Sequence, residues 1–171
     1  EKVAVLAVDP SSPVSGGAIL GDRLRMTNSD IGESVFVRSL ATRNYPGGII
    51  PKISDMINLF SYCGWSRIII ETVGSGQSEI GIIAFADRIL LVDGPDRGDI
   101  IQAEKAGIME MADIIVVNKS DLPRAKVTAD LIIESLSLDS RELIPVLLTS
   151  ALENKGISDL VSCLDSLIPD K

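Results

Sequence analysis

Six short runs of apolar, largely β-branched residues recur along the chain, at Val3 to Val8, Val35 to Val37, Ile68 to Ile70, Ile89 to Val92, Ile114 to Val117 and Ile144 to Leu148. Stretches with helical periodicity separate most of them, at about Ile50 to Tyr62, Glu79 to Ala86, Asp99 to Met111, Val127 to Leu138 and Ile157 to Leu167. Strand alternating with helix predicts parallel pairing through right-handed crossovers. Runs such as Ile68-Ile69-Ile70, with no polar alternation, predict a sheet covered on both faces. The expected class is therefore α/β, a three-layer, doubly wound, mainly parallel sheet. At 171 residues one domain is expected, and 46% hydrophobic residues supply its core.

The same composition excludes several functions. Net charge is −8 and no run of Lys or Arg forms a phosphate-tracking stripe, which argues against direct nucleic-acid binding. No apolar stretch approaches the length of a membrane span, and Glu1-Lys2-Val3 lacks a signal-peptide pattern. A soluble, cytoplasmic protein is expected. Cys63 and Cys163 are isolated among apolar neighbours, which predicts small core fillers rather than a metal or redox pair. The chain contains no histidine, so a His-based triad, a His-ligated zinc and a His proton shuttle are impossible. Any catalysis must use carboxylates, bound metal and backbone amides.

The sharpest motif is Asn118-Lys119-Ser120-Asp121, just past the run Ile114 to Val117 and so at the carboxyl end of a strand, where an open α/β sheet binds its ligand. An ionised carboxylate there accepts two hydrogen bonds from N1 and N2 of guanine. Adenine has neither donor and would leave the acceptor unpaired. Asp121 is thus the candidate guanine selector, with Asn118 on the other edge of the base and the stem of Lys119 along the ring. A polar strand-to-helix turn is the plain structural alternative. Ser150-Ala151, after the sixth run, supplies small residues and a backbone N–H where guanine O6 could be met.

Other strand ends carry what a Mg²⁺-nucleotide needs. Asp9 follows the first run, Asp22 lies in the long polar stretch after it, and Glu71 ends the third run. Mg²⁺ takes only one or two carboxylates beside phosphate and water, so three acids would act partly through bridging waters. Gly74 follows Glu71 by three residues, where a backbone N–H unshielded by Cβ can approach a terminal phosphate. Taken singly, Asp9 reads equally as a turn cap and Glu71 as an ordinary strand-end acid.

In this order the chain resembles the MeaB/ArgK/MMAA family of GTPases, formerly described as LAO/AO transport system ATPases, in the SIMIBI class of P-loop proteins. The carrying residues are Val8 to Pro13, Gly16 to Met26, Arg38 to Arg43, Glu71 to Glu79, Gly107 to Asp113 and Asn118 to Asp121. The resemblance implies a P-loop NTPase fold, GTP or GDP with Mg²⁺ as ligands, and GTP hydrolysis. It further implies service as a chaperone for an adenosylcobalamin-dependent acyl-CoA mutase of the methylmalonyl-CoA mutase type, gating cofactor loading and protecting the mutase. By position Asp9, Asp22 and Glu71 match the metal site, and Asp22, Glu71 and Gly74 the catalytic set. Arg25 matches a switch II-like signature, and Gln102 and Lys105 match a switch III running from Gly94 to Lys105. Asn118, Lys119 and Asp121 match the guanine site, with Ser150, Ala151 and Leu152 closing over the base. The compartment implied is the cytoplasm, or the mitochondrial matrix in a eukaryote.

One departure is large: no Gly-x-x-x-x-Gly-Lys-Ser/Thr occurs, and Gly74-Ser75-Gly76-Gln77-Ser78 has no Lys to replace it. Family members carry this P-loop upstream of the matching segment, so residues 1–171 are expected to be a partial G domain, incomplete at the P-loop strand. The resemblance places that strand inside the sheet, beside the one ending at Glu71. The family's N-terminal helices and C-terminal dimerisation arm are also unmatched, which leaves a homodimer of the full-length protein open. Asp-x-His-x-x-Gly, and with it that form of cobalamin contact, is impossible without histidine. The alternative function is a non-catalytic, nucleotide-sensing interaction domain. A more distant one, a metallochaperone GTPase for nickel, would need a Cys/His site with no counterpart here.

Overall fold

The computed structural model describes residues 1–9, 34–41, 52–72, 80–95, 109–138 and 144–167. By its contacts the chain divides into two compact units, Glu1–Ala86 and Asp87–Lys171. Each contains a three-stranded, all-parallel sheet.

In the first unit the strands are β1 (Val3–Asp9), β2 (Val35–Ala41) and β3 (Arg67–Thr72), in the order β2-β1-β3. Among the described residues the helices are α1 (Ile53–Tyr62) and the single turn α2 (Ile80–Ile83). Ile53, Met56, Ile57 and Phe60 recur at the spacing that lines one face of a helix, and they pack with Leu6, Val8, Leu40, Ile68, Ile70 and Ile82. α1 begins at Ile53 rather than near Ile50, because Lys52 is left-handed, with φ 70°. Trp65, which precedes β3, meets Phe36 and Phe60 at ring-centre distances of 5.9 and 6.2 Å and lies under the Lys2 ammonium. This aromatic cluster ties the amino ends of the strands together, leaving the carboxyl ends for chemistry.

One residue of the opposite face departs from the expectation of two covered faces. Val5, Val37 and Ile69 form one row by register, and Ile69 is 51% exposed, whereas Ala7 on the same face is buried. Among the described residues β3 pairs only with β1. The cysteines also differ from expectation: Cys63 caps α1 and is exposed, and Cys163 is half-buried. The apolar neighbours of Cys63 in sequence belong to the end of an amphipathic helix whose buried face it does not share.

In the second unit β4 (Leu90–Asp93), β5 (Ile114–Val117) and β6 (Val146–Leu148) run in that order. Among the described residues its helices are α3 (Ala125–Leu138) and α4 (Ile157–Leu167); the helix expected at Asp99 to Met111 lies, but for its last three residues, outside them. Every residue of β5 is buried, as a central parallel strand requires. Ala125, Ala129, Ile132 and Leu136 of α3 pack on Leu91, Ile115, Val117 and Val146. β6 starts later than the apolar run because Pro145 has no N–H to give to a ladder; its carbonyl instead accepts from Ile115 N at 2.9 Å. Among the described residues no helix is long and apolar enough to cross a membrane.

Candidate functional site

The three parallel strands of the second unit end side by side, at Asp93, Val117 and Leu148. Asn118 N donates to Asp93 O at 2.8 Å and Thr149 N to Val117 O at 3.0 Å, so the ladder continues one step into the loops and fixes where the motif begins. The chain then turns sharply at Lys119, whose φ is 61°. A side chain held in the left-handed region costs on the order of 1 kcal/mol, a strain that persists only where surrounding bonds impose it. Here Ser120 N donates to Thr149 O at 2.9 Å and Leu122 N to Lys119 O at 2.9 Å.

That turn puts Asn118 and Asp121 against the segment after β6, and each is held there. Asn118 Oδ1 accepts from Thr149 Oγ1 at 3.2 Å and from Ala151 N at 3.1 Å. With its oxygen so occupied, Asn118 offers a ligand its Nδ2 donors, which suit an acceptor such as purine N7. The Asp121 carboxylate accepts from Ser150 Oγ at 2.6 Å, and Ser150 Oγ in turn accepts from Glu153 N at 3.2 Å. Ser150 is fully buried while Asp121 is exposed, so the hydroxyl is a fixed support and the carboxylate faces outward.

The electrostatics favour the ionised acid. The Ser150 hydroxyl, then the backbone N–H of Asp121 itself, then the Lys119 and Lys155 ammonium groups hold the Asp121 carboxyl below the ordinary aspartate value of 3.8. Lys155 is kept cationic by the Glu153 carboxylate, 2.6 Å from its Nζ. Asp121 is thus an acceptor throughout the neutral range, as pairing with two N–H donors requires.

Of the residues singled out in the sequence, Asn118, Lys119, Asp121, Ser150, Ala151 and Leu152 are brought together. Leu152 is 88% exposed on the closing loop. Ala151 N–H, expected to face a base oxygen, here donates to Asn118, so a purine O6 would share or take that donor. Thr149, 2% exposed, was not among the sequence candidates. A threonine after an apolar strand carries no signal of its own, and its role becomes visible only through the bond to Asn118.

In the first unit Glu71 and Thr72 end β3, and Asp9 ends β1. Register places Ser39, Ala7 and Glu71 in one row across β2, β1 and β3, and position 9 lies on the same face two residues further along β1. Ser39 Oγ is buried and has no hydrogen-bond partner among the described residues, and Glu71 Oε2 is buried in the same row. Hard oxygen donors flanking the small Ala7 fit a hydrated divalent cation of the Mg²⁺ kind. Ser39 too escaped the sequence reading, since its place in one row with Glu71, across β1, depends on register. The side chain of Asp9, and Asp22, Arg25, Gly74, Gln102 and Lys105, lie outside the described residues. The proposed switch III is described only at Gly94 and Pro95, where Gly94 N donates to Asp93 Oδ1 at 2.9 Å.

A family model described as methylmalonyl-CoA mutase-associated GTPase MeaB matches residues 1–168. The chain belongs to the MeaB family of GTPases. A relative from Pyrococcus abyssi that carries a GTPase name is 45% identical over 164 residues, 92% of this chain and 51% of that protein. GTPase ArgK of Escherichia coli K12 is 38% identical over 166 residues, 93% of this chain and 50% of that one. The chain thus spans about half the length of the MeaB-family relatives it matches. The solved structure of HypB from Helicobacter pylori in complex with nickel superposes with a TM-score of 0.58 at 16% identity, covering 99% of this chain and 77% of that one. At that identity the likeness shows the fold alone: α/β with parallel sheets.

Proposed function

We propose that this MeaB-family chain is the base-recognising part of a GTPase that serves as a chaperone for an adenosylcobalamin-dependent acyl-CoA mutase. The observation that carries the nucleotide half is the pairing of an exposed, ionised Asp121 with the fully buried Ser150 hydroxyl that orients it, beside an Asn118 whose oxygen is already engaged. Such a pair presents an acceptor for N1–H and N2–H of guanine and donors for N7. Lys119, Ala151 and Leu152 cover the ring. The family description supports the mutase half. A soluble compartment, the cytoplasm or mitochondrial matrix, goes with this reading.

Glu71, with Asp9 and Asp22, would hold Mg²⁺, which when bound neutralises charge on the phosphates. The residues of this chain contribute the carboxylates, and the main-chain N–H of Gly74 would meet the terminal phosphate. Arg25, Gln102 and Lys105 would pass the nucleotide state to the partner. In this reading the phosphate cradle would be a P-loop of the kind the family resemblance implies, supplied from outside residues 1–171.

Two results test this proposal in the full-length protein. GTP turnover should change when a methylmalonyl-CoA mutase is added, and the pair should co-elute in size-exclusion chromatography with a slowly hydrolysed GTP analogue. Unaltered turnover and separate elution with every nucleotide would reject the chaperone role. Glu71→Gln should lower hydrolysis by roughly tenfold or more while changing GDP affinity less, because the amide weakens the metal shell and leaves the base pocket intact. A magnesium titration that shows unchanged turnover would return Glu71 to a structural strand end.

A further inference from the structure

Gly156 has φ +70°, and a Cβ on it would stand 2.3 Å from the carbonyl oxygen of Leu148 and 3.3 Å from Thr149 Cα. An L-residue there would be strained by the backbone and would also have to push the end of β6 aside. Backbone atoms cannot swing away as the tip of a flexible side chain can. The residues displaced would be those leading directly into Ser150.

Between Leu148 and Gly156 the chain closes on itself. Ser150 N donates to Lys155 O and Lys155 N to Ser150 O, each at 3.0 Å, with Asn154 taking the left-handed turn at φ 54°. Within this closed loop Glu153 N fixes Ser150 Oγ, which holds Asp121, and Thr149 Oγ1 holds Asn118. A shift of the loop relative to β6 would therefore move both supports of the base-facing side chains together. Bonds of this kind tolerate displacements of only a few tenths of an ångström before they weaken.

We infer that Gly156 is a positioning residue for base selection, its bare Cα letting the loop seat on the end of β6 at the depth where Ser150 and Thr149 orient Asp121 and Asn118. The inference rests on the guanine reading above and adds a residue that touches no nucleotide.

The test compares GDP, IDP and ADP binding by the full-length protein and by its Gly156→Ala variant, with melting temperatures measured without nucleotide. IDP lacks only the exocyclic amino group, so the GDP/IDP affinity ratio reads the bond from that group to Asp121. Gly156→Ala should lower the ratio by about fivefold or more, the scale of one misaligned charge-assisted hydrogen bond. A lower melting temperature with an unchanged ratio would assign Gly156 a purely structural role and overturn the inference. In that case a preference for GDP over ADP in the unaltered protein would leave the guanine reading standing; absence of that preference would remove both. If Gly156→Ala does not fold, Ser150→Ala decides, because the path from Gly156 to Asp121 runs through that hydroxyl. It should lower the ratio, and a ratio equal to that of the unaltered protein would overturn the inference.

Discussion

Asp121→Asn in the full-length protein should weaken GDP by about 100-fold or more, the loss expected for two hydrogen bonds to a charged acceptor. It should at the same time raise affinity for XDP. The direction follows from Ser150. Its hydroxyl receives a proton from Glu153 N–H and gives its own to position 121, so it selects the amide oxygen of the new side chain and turns the amide nitrogen outward. An outward NH₂ meets the 2-amino group of guanine donor to donor, whereas the 2-oxo group of xanthine accepts from it. Equal binding of GDP and ADP by the unaltered protein, or an Asn variant indifferent to xanthine, would sink the assignment. The pH profile supplies a second arm. Because the Asp121 carboxyl titrates below the ordinary aspartate range, guanine preference should persist unchanged from pH 8 to about 5. It should be lost only as pH falls through the depressed value, where protonation converts an acceptor into a donor.

The strands were legible in the sequence because parallel strands buried on both sides leave uninterrupted apolar runs. β5 falls on Ile114–Val117 as its run predicts, and α4 on Ile157–Leu167 as its periodicity predicts. The placement of Asn118 to Asp121 was legible for a related reason: the segment begins one residue beyond the fully buried strand β5, at its carboxyl end. The failures are as instructive. Hydropathy extends α1 back to Ile50, but backbone conformation at Lys52 stops it at Ile53. The same hydropathy assigns Cys63 to a core it only borders. Ile69 sits in a run that looks buried and yet is half-exposed, since coverage of a sheet face depends on which other segments reach it. Thr149, Ser39 and Gly156 carry no signal because the place of each depends on a contact or register that local pattern does not show: Thr149 with Asn118, Ser39 across β1 from Glu71, and Gly156 against Leu148.

The 171 residues alone should not turn over GTP, and should bind GDP at least about 1000-fold more weakly than the full-length protein. Backbone N–H groups and a lysine wrapped around the phosphates supply most of the affinity in P-loop GTPases, and each charge-assisted bond there is worth more than a neutral one. Nothing in this sequence matches that loop, and neither Gly74-Ser75-Gly76-Gln77-Ser78 nor any other segment offers glycines followed by Lys-Ser or Lys-Thr. What the proposed site would hold is the other end of the ligand, through Asn118, Asp121 and their supports Thr149 and Ser150. A base pocket without a cradle retains selectivity and loses strength, so the short chain should still prefer GDP to ADP at millimolar concentrations even though neither binds tightly. The exposed Ile69 on β3 adds a structural corollary. Apolar strand surface open to solvent is prone to meet other chains, so the short chain should also be the more aggregation-prone of the two. Calorimetry with GDP and a slowly hydrolysed GTP analogue in magnesium, run on both chain lengths, measures the difference. Comparable affinity and steady turnover from the short chain would show that its own residues cradle the phosphates by a route other than a P-loop.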